Sequence, residues 1–94
     1  MHIFLSYSTA DRERVRPLVD LLGTIAPVWW DQRIMHGTSW DEEIERALEE
    51  ASCVVAAWTE TSVDARWVKA EARYASKHGI LLPVRLDPVD PPIE

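Results

Sequence analysis

Ninety-four residues make one domain, near the lower limit of size for a core built without metals or disulfides, and leave no room for a second. A hydrophobic content of 47% with five tryptophans indicates a folded globular chain, and 28% charged residues argue against a membrane protein. The net charge of −6, from 16 acidic and 10 basic residues, weighs against binding nucleic acid through a basic face.

The first predicted strand covers residues 2–6 and ends in Ser6-Tyr7-Ser8-Thr9. A helix is expected over 11–22, with Val15, Leu18, Val19 and Leu22 as its buried stripe, Ser8 or Thr9 as N-cap and Gly23 as the stop. Pro17 lacks an amide donor, so the expectation is a kink or a late start. The arginines at 12, 14 and 16 are interleaved with Glu13 and followed by Asp20, as on a solvated helix face. Val28-Trp29-Trp30 reads as the second strand, and Trp29 and Trp30 must point to opposite faces. A polar loop over 31–39 containing Gly37 leads to a helix over 40–51, with Ile44, Ala47 and Leu48 inward and a Glu42 to Arg46 pair outward. Ser39 with Glu42 forms a capping box at its start.

Residues 53–58 form the third strand, continuously apolar and so expected to be buried on both faces. The third helix is expected over 63–77, stopping at His78-Gly79, with Val63, Trp67, Ala70 and Tyr74 inward. Residues 80–86 form the fourth strand, after which 87–94 is a proline-rich tail or linker, too poor in apolar residues for another element. The apolar runs 54–58 and 80–84 are far too short to span a membrane. Met1-His2 leads straight into strand-like sequence without the features of a signal peptide, so a cytoplasmic location is expected. Cys53 cannot form an internal disulfide and reads as a small core residue without catalytic role.

Strands alternating with helices predict repeated βαβ units: an α/β fold with a flavodoxin-like doubly wound parallel sheet of strand order 2-1-3-4. Ligands of such sheets lie beyond the carboxyl ends of the strands. That rule selects Ser6-Tyr7-Ser8, residues 31–39 and 58–62, and the start of the third helix. Glu71 lies about one and a half turns into that helix and reaches the crevice only if the helix tips toward it.

Metal-ligand spacing is not evident, since His2, His36 and His78 stand far apart. A nucleophile elbow, a Walker loop and a G-x-G-x-x-G segment are all missing from the sequence. What remains is aromatic and acidic. Glu71 follows Trp67 by four residues, which places both on one helical face, and its neighbours at three and four positions are Trp67, Val68, Tyr74 and Ala75, none of them basic. Trp30, Trp40, Trp58 and Trp67 stand at or near element ends that should converge on the crevice. Stacking surfaces with one carboxylate suit a flat, positively charged heterocycle on a ribose. On spacing alone, Trp67 reads as core packing sooner than as a site residue, because an aromatic at helical period is usually packing.

The order of these pieces resembles a Toll/interleukin-1 receptor (TIR) domain of the bacterial, NAD-cleaving type. Ile3-Phe4-Leu5-Ser6-Tyr7-Ser8 with Asp11 resembles its first strand, Val28-Trp29-Trp30-Asp31 its second, residues 31–40 with Gly37 its following loop, Cys53-Val54-Val55 its third strand, and residues 62–71 its W-x-x-x-E segment. The resemblance spans residues 3–86, so 1–86 is expected to be the TIR domain, lacking the usual fifth strand and last helix, with 87–94 outside it. What it implies is cleavage of NAD⁺ at the nicotinamide–ribose bond, giving ADP-ribose or a cyclic isomer. Glu71 is then the catalytic acid, Trp67 lies beneath the nicotinamide ribose, Trp40 stacks on the ligand, and Ser8 and Asp31 line the pocket. No cofactor is implied, since NAD⁺ is the substrate. Expected partners are other TIR copies, in a homo-oligomer or filament that completes the pocket, and a fused or associated sensor domain, in bacterial defence or cell suicide; neither nucleic acid nor membrane is an expected partner.

Two other readings compete. One is a non-enzymatic TIR interaction module, in which Glu71 is a packing or surface residue. The other is a deoxyribosyltransferase-like enzyme acting on nucleosides.

Overall fold

The computed structural model describes residues 2–30 and 42–93. Four strands, β1 (His2–Ser6), β2 (Val28–Trp29), β3 (Ala51–Trp58) and β4 (Leu81–Arg85), form one all-parallel sheet of order β2-β1-β3-β4. Among the described residues, three helices, α1 (Arg12–Leu22), α2 (Glu42–Glu50) and α3 (Arg66–Lys77), lie on the crossovers. The flavodoxin-like α/β architecture expected from the alternating runs is present, in the expected strand order.

Period-two alternation in β1 divides the core. Ile3, Leu5 and Tyr7 pack with Val15 and Leu22 of α1 on one side, while Phe4 packs with Ile44, Ala47 and Leu48 of α2 and Ala75 of α3 on the other. Trp29 stacks on Phe4, with ring centroids 5.0 Å apart and planes 12° from parallel, while Trp30 meets Tyr7 on the α1 side. The two adjacent indoles therefore serve opposite faces, as alternation requires. Residues 54–58 are fully buried, as befits an interior parallel strand.

Several boundaries move. A 3-10 turn, Thr9–Asp11, precedes α1, and the helix starts at Arg12 with Pro17 inside it on the exposed side, so the late start does not occur. Neither Ser8 nor Thr9 caps α1; its N-cap is Asp11, without a side-chain cap bond. Gly23 ends the helix at φ −63, a conformation open to any residue. β2 stops one residue short of Trp30, and α2 ends at Glu50 because Ala51 is already paired with His2 in the sheet. Glu42 and Arg46 are both exposed. The loop over 31–39, the Ser39 cap and Trp40 lie outside the described residues.

The largest correction concerns α3. Its buried residues are Val68, Glu71, Ala72 and Ala75, not the expected stripe: Trp67 and Tyr74 are half-buried, Ala70 is exposed, and Val63 belongs to a separate 3-10 turn, Ser62–Asp64. Two fully buried alanines let the backbone of α3 approach the sheet closely, which turns the bulky rings to the flank and carries Glu71 inward. At the other end of the helix Gly79 adopts φ 71, the left-handed stop that glycine permits, and Ile80 N–H closes onto Ala75 O at 2.9 Å.

Candidate functional site

At the carboxyl edge of the sheet, β1 and β3 release two loops that are bolted together. Ser62 Oγ donates to Ala57 O (2.8 Å) and accepts from Thr59 N–H (2.8 Å), while Thr59 Oγ1 accepts from Ser62 N–H (3.0 Å). Thr59 Oγ1 then donates to Asp11 Oδ2 at 2.6 Å, within the buried interior. Asp11 stands at the start of α1, so one hydroxyl joins the loop before α3 to the loop before α1. Short polar side chains favour such local loops because each satisfies a backbone group that no strand or helix pairs.

This brace sets the start of α3, and two hydrogen bonds one helical turn apart then tie the helix to the end of β1. Trp67 Nε1–H donates to Tyr7 O at 3.3 Å. Ser6 Oγ–H donates to Glu71 Oε1 at 2.7 Å, with both residues fully buried. Alternation explains the second contact: Ser6 shares the face of Phe4, toward α3, and is the polar break in an apolar strand. A buried carboxylate needs such a donor, because an unsatisfied one carries the full desolvation penalty.

Beside this pair an open cleft of about 1010 Å³ runs along the outer flank of α3. Ser8, Thr61, Asp64 and Trp67 line it, together with the cations Arg66, Lys69 and Arg73. The structure thus brings Ser8 and Trp67 together at one cleft. Glu71 lies one turn along α3 from Trp67 but on its core side, fully covered, and is not among the residues lining that cleft. Asp31 and Trp40 lie outside the described residues.

Two of the other tryptophans do not offer stacking surfaces there. Trp58 is fully buried among Val68 and Ala72, and Trp30 sits under the guanidinium groups of Arg12 and Arg16, at 5.2 and 5.7 Å from its ring centre. The third α1 arginine is also committed. Arg14 makes a two-pronged bond to Asp87, with Nη2 to Oδ1 at 2.9 Å and Nη1 to Oδ2 at 3.1 Å, and Asp87 accepts from Glu60 N–H as well. The hydrogen bond from Arg14, followed by that from the Glu60 amide, holds the Asp87 carboxyl below its usual range. Near the start of β3, burial pushes the half-buried Cys53 thiol up, the direction that favours its protonated form.

Residue reading did not find Ser6 as the partner of Glu71, because 65 positions separate them. It also passed over Arg66, Lys69 and Arg73, for which their helical spacing was the available signal and to which the cleft gives a location. Among the described residues, no helix is long and apolar enough to cross a membrane.

The sequence model of one family, described as the TIR domain, matches residues 3–94. No curated protein matches this chain.

Proposed function

We propose, because this chain belongs to the TIR domain family, that it is an NAD⁺ glycohydrolase of the bacterial type, releasing nicotinamide with Glu71 as the group that stabilises the reacting ribose. One observation carries the reading: a buried carboxylate held by Ser6 at 2.7 Å, one helical turn from an indole that borders a cleft at the carboxyl edge of the sheet. Heterolysis of the C1′–N bond sends its electron pair to the pyridine nitrogen, so nicotinamide leaves neutral and needs no proton donor. Positive charge then develops on the ribose, and a nearby carboxylate lowers the energy of that oxocarbenium-like state. Water adds to C1′ and loses a proton to give ADP-ribose, or an internal nucleophile adds to give a cyclic isomer. Trp67 supplies a surface for the ribose and Ser8 a pocket-lining hydroxyl, with Asp31 and Trp40 completing the site.

The chemistry demands that the cover over Glu71 open when substrate binds or copies assemble, since a fully buried oxygen reaches no ligand. TIR domains typically interact with other TIR domains, and activity gated by assembly, in cytoplasmic defence or cell suicide under a sensor domain, follows from this reading. The same burial favours the alternative, a non-enzymatic interaction module in which Glu71 is a satisfied core acid. The deciding experiment measures nicotinamide release from NAD⁺ by protein forced to oligomerise. Glu71→Gln is the informative variant, because its amide oxygen still accepts from Ser6, whereas alanine leaves a cavity and an orphaned hydroxyl. Loss of at least about a hundredfold in turnover is expected, of the size seen when a transition-state stabiliser is removed; equal rates refute the enzymatic reading.

A further inference from the structure

The cations bordering the cleft are arranged against the ordinary rules for a solvated helix. Arg66, Lys69, Arg73 and Lys77 follow one another at spacings of three, four and four along α3, so each like charge neighbours the next, an arrangement that destabilises an isolated helix. No acidic residue stands three or four positions from Arg66, Lys69 or Arg73, and none of the three makes an ion pair among the described residues. α1 behaves otherwise. There Arg12 and Arg16 pair with Glu13, and Arg14 with Asp11 and Asp87. In a chain of net charge −6, a row of cations left to solvent is the exception.

The start of α3 adds to the same field. Its N-cap is Ala65, which supplies no side-chain acceptor, and its first turn holds no acid, so no carboxylate in that turn offsets the positive end of the helix dipole. Arg66 and Lys69 stand in that turn, where the dipole disfavours cations. Both line the cleft, as does Arg73 one turn further on; Asp64 is the one carboxylate among the lining residues. Guanidinium and ammonium groups that make no ion pair among the described residues, bordering one space at the positive end of a helix, make a receptor for oxyanions.

We propose that Arg66, Lys69 and Arg73 bind the phosphate groups of the ligand whose ribose end lies against Trp67. Resting on the NAD⁺ reading, this makes the diphosphate the recognised part of the substrate and places it along the outer flank of α3, with the scissile bond toward Trp67 and Glu71. A phosphate-free nucleoside would forgo that contact. Because the positive field is concentrated where the helix begins, binding depends on salt.

Amide chemical shifts of the ¹⁵N-labelled full chain, titrated with inorganic pyrophosphate, test the site without requiring turnover. Shifts confined to residues 64–73, weakened by raised salt and at least about tenfold weaker in Arg66→Gln/Lys69→Gln/Arg73→Gln, are expected, the size of one lost charge-assisted contact or more. Nicotinamide riboside, which carries no phosphate, should bind the wild type and this variant alike. In the oligomerised enzyme the variant should raise KM for NAD⁺ at least about tenfold with kcat largely kept, because the contact is equal in ground and transition states. Pyrophosphate binding that persists while Glu71→Gln leaves nicotinamide release unchanged would sink the hydrolase and spare the anion site. Shifts elsewhere or unchanged affinity in the triple variant overturns the anion site itself, as does a variant that alters only self-association.

Discussion

Ser6 is the smallest residue on which the candidate chemistry turns. Its hydroxyl faces α3 from a strand whose other buried residues are Ile3, Phe4 and Leu5, and it meets the carboxylate of Glu71 buried beneath that helix. Ser6→Ala removes a donor to a buried acid and leaves the rest of the packing in place, so a loss of about 1–3 kcal/mol in stability is expected. Urea unfolding should move its midpoint down at constant slope, since neither compactness nor the folded surface changes. An unaltered midpoint contradicts the 2.7 Å contact. If Glu71 also acts on substrate, the same variant should lower kcat more than it raises KM, because the serine positions the carboxylate without binding the ligand.

At the scale of elements, the stop of α3 depends on backbone handedness more than on contact. Gly79 sits at φ 71, and a Cβ added there would meet nothing within 4 Å, so Gly79→Ala imposes only the conformational cost of the left-handed region, about 1–2 kcal/mol. Thermal unfolding should register it as a fall of several degrees for a chain this short; an unchanged Tm places the residue in another conformation. His78-Gly79 was a legible stop in the sequence for this reason: punctuation is local. The interior strand was legible too, because its buried run, residues 54–58, must be apolar on both faces, whichever neighbour it acquires. The rotation of α3 was not. Helical period ranks Trp67 and Tyr74 above alanine as core, yet Ala72 and Ala75 are fully buried, along with Val68 and Glu71, since close approach to the sheet favours small side chains. Nothing within a helical turn of Glu71 announces that its donor stands on the first strand. The site was therefore readable as the pair Trp67 and Glu71 at four-residue spacing, and not as a carboxylate tucked beneath the sheet edge.

For the whole molecule, the bond between Arg14 and Asp87 joins the first helix to the exit of the last strand across 73 positions of sequence, and Glu60 N–H brings the loop after β3 to the same carboxylate. Beyond it Val89 and Ile93 pack against the cluster of Trp58, Val68 and Ala72, so Asp87 fixes the course of the chain from β4 back over the α3 face. The Asp87 carboxyl is held below the usual carboxylate range, chiefly because Arg14 donates to it and then because the Glu60 amide does. A depressed carboxylate stabilises the fold fully above its unfolded pKa and loses that contribution as pH falls through the lower, folded value. Asp87→Asn keeps an oxygen for the amide and removes the charge. It should lower Tm at pH 6 by no more than a few degrees, since the pair is partly exposed to solvent. The gap between wild type and variant should then narrow as pH drops below 3.8, where the wild-type carboxyl also becomes neutral, and should narrow at pH 6 when salt is raised to about 1 M. Paired thermal melts across that range check both limbs. A gap that stays constant with pH assigns the contribution of Asp87 to its neutral hydrogen bonds, and the charge on Arg14 would then play no part in closing the chain.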